Sequence, residues 1–338
     1  MSKIAFIFPG QGAQYVGMGK GVYEGFTVAK EVFTRAGEIL GYDLAQICFQ
    51  GPAEILKQTG YTQAAVFTTS LAILQAITES VPHLTSVFVA GHSLGEYSAL
   101  AAAGGLDFGS CLQVVQIRAK AMEAAANING GGMSAVLGLE ATEVVSICSR
   151  IRQSVNPVNE GVWPVNFNCP GQIVIAGSKS ALEQAEGEVK EAGAKRVVRL
   201  SVSGPFHTPL IKSAQEEVGS ALDQVAISPL KTPLITNVEA SPIREPGEVK
   251  DSLIRQVVSP VRWEQSMRLA IREGVTTFIE IGPGKVLTGL LKKIDQSVKA
   301  FGVENLKEME RLITGREEGN KVSSQDIEKI QNKCNGVS

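Results

Sequence analysis

The chain has 338 residues, of which 44% are hydrophobic and 20% charged, with a formal net charge of −2. Such a length can bury a large core and fits one large α/β domain with a smaller unit inserted in it. The charge balance lacks the basic excess of a nucleic-acid binder, and no apolar run approaches a membrane span.

Lys3 to Phe8 is a predicted buried strand, broken by Pro9-Gly10 without the cleavage site of a signal peptide. A glycine-rich loop, Pro9-Gly10-Gln11-Gly12-Ala13-Gln14, follows, and helical patterns dominate 15–80. Ser86 to Ala90 reads as a second buried strand. It feeds Gly91-His92-Ser93-Leu94-Gly95, then a small-residue helix through Ala103 and another helix over 107–126. Strands alternating with helices predict a parallel sheet covered on both faces.

The middle of the chain changes pattern. Strand 131–139, helix 141–153, strands 165–168 and 172–177, helix 179–192 and strand 196–202 make a βαββαβ order, the split unit of ferredoxin-like domains. Gly130-Gly131-Gly132 and Ser203-Gly204-Pro205 punctuate its ends. Helices over 208–223, 247–257 and 263–273, a strand near 233–237, a strand over 276–281 and a helix from Lys285 complete the pattern. The expected fold is therefore a large α/β-hydrolase-like domain with a parallel sheet, formed by 1–128 and 203–305. A ferredoxin-like subdomain over 129–202 interrupts it, and a loosely attached polar tail spans 306–338, with Arg316-Glu317-Glu318-Gly319-Asn320-Lys321 as its most polar stretch.

Gly91-His92-Ser93-Leu94-Gly95 matches G-x-S-x-G. A serine on a sharp strand-to-helix turn projects its hydroxyl from the sheet edge, small neighbours let strand and helix approach, and the helix N-terminus favours developing negative charge. The plain alternative is a structural turn with a serine N-cap. A serine hydroxyl needs a base, and the histidines are His83, His92 and His207. His83 follows Pro82 at a helix end, and His92 adjoins Ser93 and points elsewhere, fitting a role in shaping the turn. His207, where the inserted unit returns to the large domain, is the candidate base. No histidine follows it, unlike the Ser–acid–His order of an α/β-hydrolase, so the group that orients it is open; a backbone carbonyl can serve.

Two other glycine motifs fail. Gly10-Gln11-Gly12 with Glu31 about 20 residues on hints at a dinucleotide fingerprint, but Tyr15 occupies the third small position. Gly282-Pro283-Gly284-Lys285 lacks P-loop spacing and the following Ser or Thr. The cysteines Cys48, Cys111, Cys148, Cys169 and Cys334 are scattered, without C-x-x-C spacing. A disulfide framework or a zinc site is not expected, nor is any metal or organic cofactor, and a reducing cytoplasm is the simpler setting.

Several blocks together resemble the malonyl-CoA:acyl carrier protein transacylases. They are Phe8-Pro9-Gly10-Gln11-Gly12, Gly91-His92-Ser93-Leu94-Gly95-Glu96-Tyr97-Ser98-Ala99, Gln116-Ile117-Arg118, Val165-Asn166-Phe167-Asn168-Cys169-Pro170-Gly171-Gln172, Gly204-Pro205-Phe206-His207 and Ile281-Gly282-Pro283-Gly284. They keep the family's order over about residues 3–300. The resemblance implies that Ser93 takes the malonyl group from malonyl-CoA as an ester and that His207 shuttles the proton. It implies an oxyanion hole from the N–H groups of Gln11 and Leu94, Arg118 on the malonyl carboxylate, the Gln256 carbonyl behind His207, and Asn168 and Gln63 as minor pocket residues. Ser259 stands where related enzymes often have Asn.

The implied partners are malonyl-CoA and acyl carrier protein, with no nucleic acid and no membrane, and the chain is expected to act as a monomer. Lys120, Lys195 and Arg196 are candidates for guiding an acidic carrier. Hydrolysis by a serine esterase or thioesterase, and a non-catalytic interaction domain, are the rival readings.

Overall fold

The computed structural model describes residues 3–154 and 160–314. Among the described residues, ten strands form two sheets. Five strands of the larger sheet are parallel: β1 (Lys3–Phe8), β2 (Phe88–Gly91), β7 (Leu234–Ile235), β9 (Val275–Ile281) and β10 (Lys299–Val303). The order is β10-β9-β1-β2-β7, and β8 (Pro242–Ile243) adds an antiparallel edge beyond β7. A proline is tolerated in such an edge, where its missing N–H breaks no ladder. The sheet is thus mixed rather than purely parallel, and β8 and β10 escaped the sequence pattern: one is two residues long, the other is half exposed.

Side chains of β1 alternate between two cores. Phe6 and Phe8 join one apolar cluster, Ala5 and Ile7 the other. The first cluster packs on α2 (Thr27–Leu40), α5 (Thr59–Ser80), α6 (Gly95–Ala102), α7 (Phe108–Asn129) and α10 (Lys212–Leu222). The second packs on α12 (Trp263–Arg272) and α13 (Val286–Ile294). Short helices α1 (Lys20–Gly25), α3 (Leu44–Gln50) and α4 (Ala53–Leu56) lead into α5, which is buried over most of its length. α11 (Pro246–Gln256) follows the edge hairpin. No helix among the described residues is long and apolar enough to cross a membrane.

The smaller sheet is antiparallel throughout, in the order β4-β5-β3-β6, from β3 (Gly132–Leu137), β4 (Val162–Cys169), β5 (Gln172–Gly177) and β6 (Arg196–Arg199). Val136, Ile173 and Ile175 face α8 (Ala141–Ser154) and α9 (Lys179–Glu191), whereas Met133, Val174 and Ala176 belong to the main core. This sheet is therefore welded to the large one through its second face.

Part of the expected tail is docked. α14 (Leu306–Thr314) buries Met309, and Lys285 pairs with Glu308. The sequence pattern hid this because two buried glutamates, Glu308 and Glu310, make the segment look polar. The polar stretch 316–321 and Cys334 lie outside the described residues; the other four cysteines are buried and free.

The G-x-S-x-G spacing has a steric cause. A Cβ on Gly91 would stand 1.9 Å from the Gly95 carbonyl, and one on Gly95 would stand 2.1 Å from the Phe8 oxygen. Gly95→Ala is expected to destabilise the fold by about 3 kcal/mol or more, because backbone is what must move. Gly187→Ala, in α9 with nothing within 4 Å, is expected to stabilise it by about 0.5–1 kcal/mol. Urea unfolding of both variants checks the contrast.

Candidate active site

β1 and β2 end side by side, with Phe8 paired to Gly91, so the loops after them meet at one sheet edge. Ser93 turns the chain from β2 into α6 with φ +51°, a left-handed conformation that costs a non-glycine residue about 1–3 kcal/mol. Two amide side chains from distant segments hold it there. Asn237 Oδ1 accepts the Ser93 N–H at 2.8 Å while Asn237 Nδ2 donates to the Gly91 carbonyl at 2.7 Å. Gln256 Nε2 donates to the Ser93 carbonyl at 2.9 Å.

His207 lies in the segment returning from the small sheet, also left-handed at φ +62°. Its Nε2 is 2.8 Å from Ser93 Oγ and its Nδ1 is 2.9 Å from the Gln256 carbonyl oxygen. A carbonyl can only accept, so Nδ1 carries the ring proton and Nε2 is left to accept from the serine hydroxyl. The Ser259 backbone N–H reaches the same carbonyl at 3.4 Å, a contact that does not depend on the side chain at this position. Burial, then the neighbouring Arg118 charge, push the His207 imidazole down to about 3. It is neutral at any ordinary pH.

Arg118 rises from α7 and is 1% exposed. Its Nη1 donates to Gln63 Oε1 at 2.6 Å, and its Nη2 to Gln256 Oε1 at 3.0 Å and Ser93 Oγ at 3.2 Å. The Tyr97 ring lies 5.4 Å from the guanidinium carbon, and Nε has no partner. No carboxylate stands within ion-pair distance of this cation among the described residues.

These groups line a small cleft of about 80 Å³. Gln11, Gln63, Ser93, Leu94, Arg118 and His207 contribute its polar wall, and Met122, Met133, Leu200, Val202 and Phe206 its apolar wall. Larger hollows beside Phe301 and beside Tyr23 gather none of the candidate residues. Gln11 sits on the loop after β1, pressed so close that a Cβ on Gly10 would stand 2.3 Å from the His92 oxygen. Its side chain donates to Thr59 Oγ1 at 3.2 Å. The backbone N–H groups of Gln11 and Leu94 take no protein acceptor among the described residues.

Such an arrangement can transfer an acyl group. It has a hydroxyl aimed at a neutral imidazole, free N–H groups beside it for an oxyanion, and a fixed cation for a substrate anion. A model of the family described as "Acyl transferase domain" matches residues 5–332. This chain belongs to that family.

Among curated members of the acyl transferase domain family, the malonyl CoA-acyl carrier protein transacylase of Bacillus subtilis is 45% identical over 320 residues, 95% of this chain and 99% of that protein. A solved acyl carrier protein S-malonyltransferase from Vibrio cholerae is 41% identical, with TM-score 0.87, over 92% of this chain and 100% of that one. A malonyl-transacylase solved in complex with its type II polyketide acyl-carrier protein is 37% identical, with TM-score 0.89, over 93% of this chain and 100% of that one.

The structure brings together seven of the eight residues singled out in the sequence. Asn168 stands apart: its Oδ1 is 2.9 Å from His92 Nε2, and it supports the His92 ring against Trp263 while Asn166 lines the cleft instead. His83 is exposed. Sequence reasoning missed Asn237 and gave no part to Glu96, which is fully buried beneath the turn. The available signals were an Asn directly after an apolar strand and a lone carboxyl in a helix of small residues.

Asn237→Ala removes the acceptor of the Ser93 N–H and the donor to the Gly91 carbonyl, leaving both unpaired while the Gln256 support stays, so it is expected to cost about 2–4 kcal/mol. Asn168→Ala, losing one bond to His92, is expected to cost about 1 kcal/mol. Chemical denaturation with folded-state circular dichroism measures both.

Proposed function

We propose that this acyl transferase moves a malonyl group from malonyl-CoA to the thiol of acyl carrier protein through an ester on Ser93. The observation that carries this reading is a buried guanidinium with only neutral partners, 3.2 Å from a hydroxyl that is bonded to a neutral histidine. An acyl group placed on that hydroxyl with a carboxylate at its far end supplies the missing anion. A planar guanidinium suits a carboxylate through paired, charge-assisted hydrogen bonds.

In the first half-reaction the Ser93 hydroxyl gives its proton to His207 Nε2 as Oγ attacks the thioester carbonyl. The N–H groups of Gln11 and Leu94 receive the oxyanion, where one donor is typically worth about 3–4 kcal/mol. The Gln256 carbonyl stabilises the imidazolium through Nδ1–H. His207 then returns the proton to the departing coenzyme A sulfur. In the second half-reaction the carrier's thiol attacks the ester by the same steps in reverse. Gln63 acts on Arg118 rather than on the substrate, and Asn168 acts through His92.

The larger mixed sheet suits an α/β-hydrolase-like description of 1–128 with 203–305, and the order β4-β5-β3-β6 suits a ferredoxin-like description of 129–202. The protein works as a cytoplasmic monomer that supplies malonyl units for fatty acid synthesis. Lys120, Lys195 and Arg196 are all exposed and available to an acidic carrier.

Intact mass after exposure to malonyl-CoA tests the reading. A malonyl adduct is expected on the wild type and none on Ser93→Ala. Free malonate released at full rate without carrier would point instead to a thioesterase. Arg118→Ala is expected to lower kcat/KM for malonyl transfer by about 100-fold or more while changing acetyl transfer little. Equal losses for both substrates would remove the carboxylate role.

The pH dependence follows from the depressed imidazole. His207 stays neutral as pH falls through the ordinary value near 6.5 and is lost as a base only toward about 3. Sulfonylation of Ser93 by phenylmethylsulfonyl fluoride, a neutral reagent that loses fluoride as the sulfonyl ester forms, is therefore expected to show no acid limb near pH 6.5 from the imidazole. An inflection there that persists in folded Glu96→Gln, where the nearby buried carboxyl is gone, would mean that the imidazole is solvated.

A further inference from the structure

A carboxyl group that the proposed reaction leaves unused lies beneath the Ser93 turn. Glu96, in the first turn of α6, is fully buried. Its Oε2 accepts from the Asn237 N–H at 3.2 Å and from Gln256 Nε2 at 2.8 Å, and its Oε1 has no partner. The Gln256 amide faces both ways, because its Oε1 accepts from Arg118 Nη2 at 3.0 Å. One neutral dipole lies between a buried cation and a buried carboxyl, with its negative end on the cation and its positive end on the carboxyl.

The other titratable groups around Glu96 do not compensate its charge. Tyr97, next on α6, is a buried phenol pushed well above its usual range by burial. Glu239, after β7, acts on Glu96 with a like charge and is itself paired with Arg255. His207, across Arg118, is neutral. Arg118 is the cation that favours the charged form of Glu96, and burial still holds this carboxyl up at about 7.

We propose that Glu96 is the internal counter-charge of Arg118, coupled to it through the Gln256 amide, and that it takes up one proton from solvent when a substrate carboxylate docks on Arg118. The proposal rests on the malonyl reading above. A carboxylate on Arg118 cancels the positive potential that Glu96 feels and adds a negative one, and both changes disfavour a charged Glu96. The step forms one O–H bond with a solvent proton and breaks no bond of the substrate. Glu96 is a positioning residue here: it acts on Arg118 and Gln256 and does not touch the acyl group.

The sign sets the pH window. In the free site Glu96 is charged above about 7 and already protonated below it. Carboxylate docking raises its affinity for the proton, so uptake is largest between about 7 and the higher value of the loaded site and fades on either side of that window.

The test uses the wild-type protein in weakly buffered solution with an indicator dye, loaded with malonyl-CoA or with acetyl-CoA. Proton uptake is divided by the amount of Ser93 ester seen by intact mass. Ionisation of the released thiol is common to both substrates, so the difference isolates the carboxylate. At pH 8, malonyl loading is expected to take up about 0.5–1 proton per ester more than acetyl loading, falling to about 0.1 or less at pH 5.5. Folded Glu96→Gln, similar in size and without a titratable group, is expected to abolish the difference. Equal uptake for both substrates in the wild type, with the malonyl ester present, overturns the proposal and leaves the malonyl reading standing. A difference that persists in folded Glu96→Gln also overturns it, whereas absence of any malonyl ester defeats the malonyl reading itself.

Discussion

The Ser93 backbone is held in a left-handed conformation by two amide side chains that sequence puts 144 and 163 residues away. Asn237 takes its N–H and Gln256 takes hold of its C=O, so a turn that would otherwise relax is fixed from both sides. Everything the site offers follows from that fixation. Oγ points out of the sheet edge toward His207, and the Leu94 N–H is freed from helical bonding to face the cleft. The glycines on either side exist because the backbones of β1, β2 and α6 come within van der Waals limits of one another. Removal of side chains from Gly91 and Gly95 creates the space; the two amides supply the order.

The electrostatics have the same economy. Two buried ionisable groups, Arg118 and Glu96, meet only through Gln256. Direct pairing would have recovered more Coulomb energy and removed the guanidinium from use. Interposing an amide leaves both groups hydrogen-bonded while Arg118 still presents donors to the Ser93 hydroxyl. The same residue's backbone carbonyl fixes the His207 tautomer, so Gln256 serves the serine, the histidine and the arginine at once.

The sequence made legible whatever is encoded by neighbours. The β1 run, the G-x-S-x-G turn and the βαββαβ order rest on local periodicity and spacing, and each appears as a set of strands and helices close to the expected bounds. His207 could be reached by elimination because histidines are few. What stayed hidden is long-range. β7 falls inside the strand expected near 233–237, but nothing local ties Asn237, just past its end, to a turn 144 residues away. Glu96 was visible inside a quoted motif, but its burial and its tie to Gln256 exist only in three dimensions. Asn166 and Asn168 lie in the same strand, where local irregularity in the pairing of β4 decides which side chain meets the cleft; the pattern alone could not assign them. α14 looked like tail because two glutamates that are mostly buried carry the charge count of a solvated segment.

The absence of an acid behind His207 fits the presence of Arg118. In a serine triad the carboxylate stabilises the imidazolium that forms during proton transfer. Placed in this cleft, a carboxylate at the Gln256 carbonyl position would lie close to a buried guanidinium that no carboxylate touches, Glu96 being held off by the Gln256 amide, and the stronger attraction would draw the two together. The arginine would then be satisfied before any substrate arrived, and selectivity for a carboxylate-bearing acyl group would fall. A neutral carbonyl orients the same ring nitrogen without competing for the cation. The low imidazole basicity, set by burial and then by the Arg118 charge, is compatible with a thioester, whose leaving thiol needs far less protonation than an amine. Substrate recognition and the choice of histidine partner are therefore a single electrostatic solution, and neither can be changed without disturbing the other.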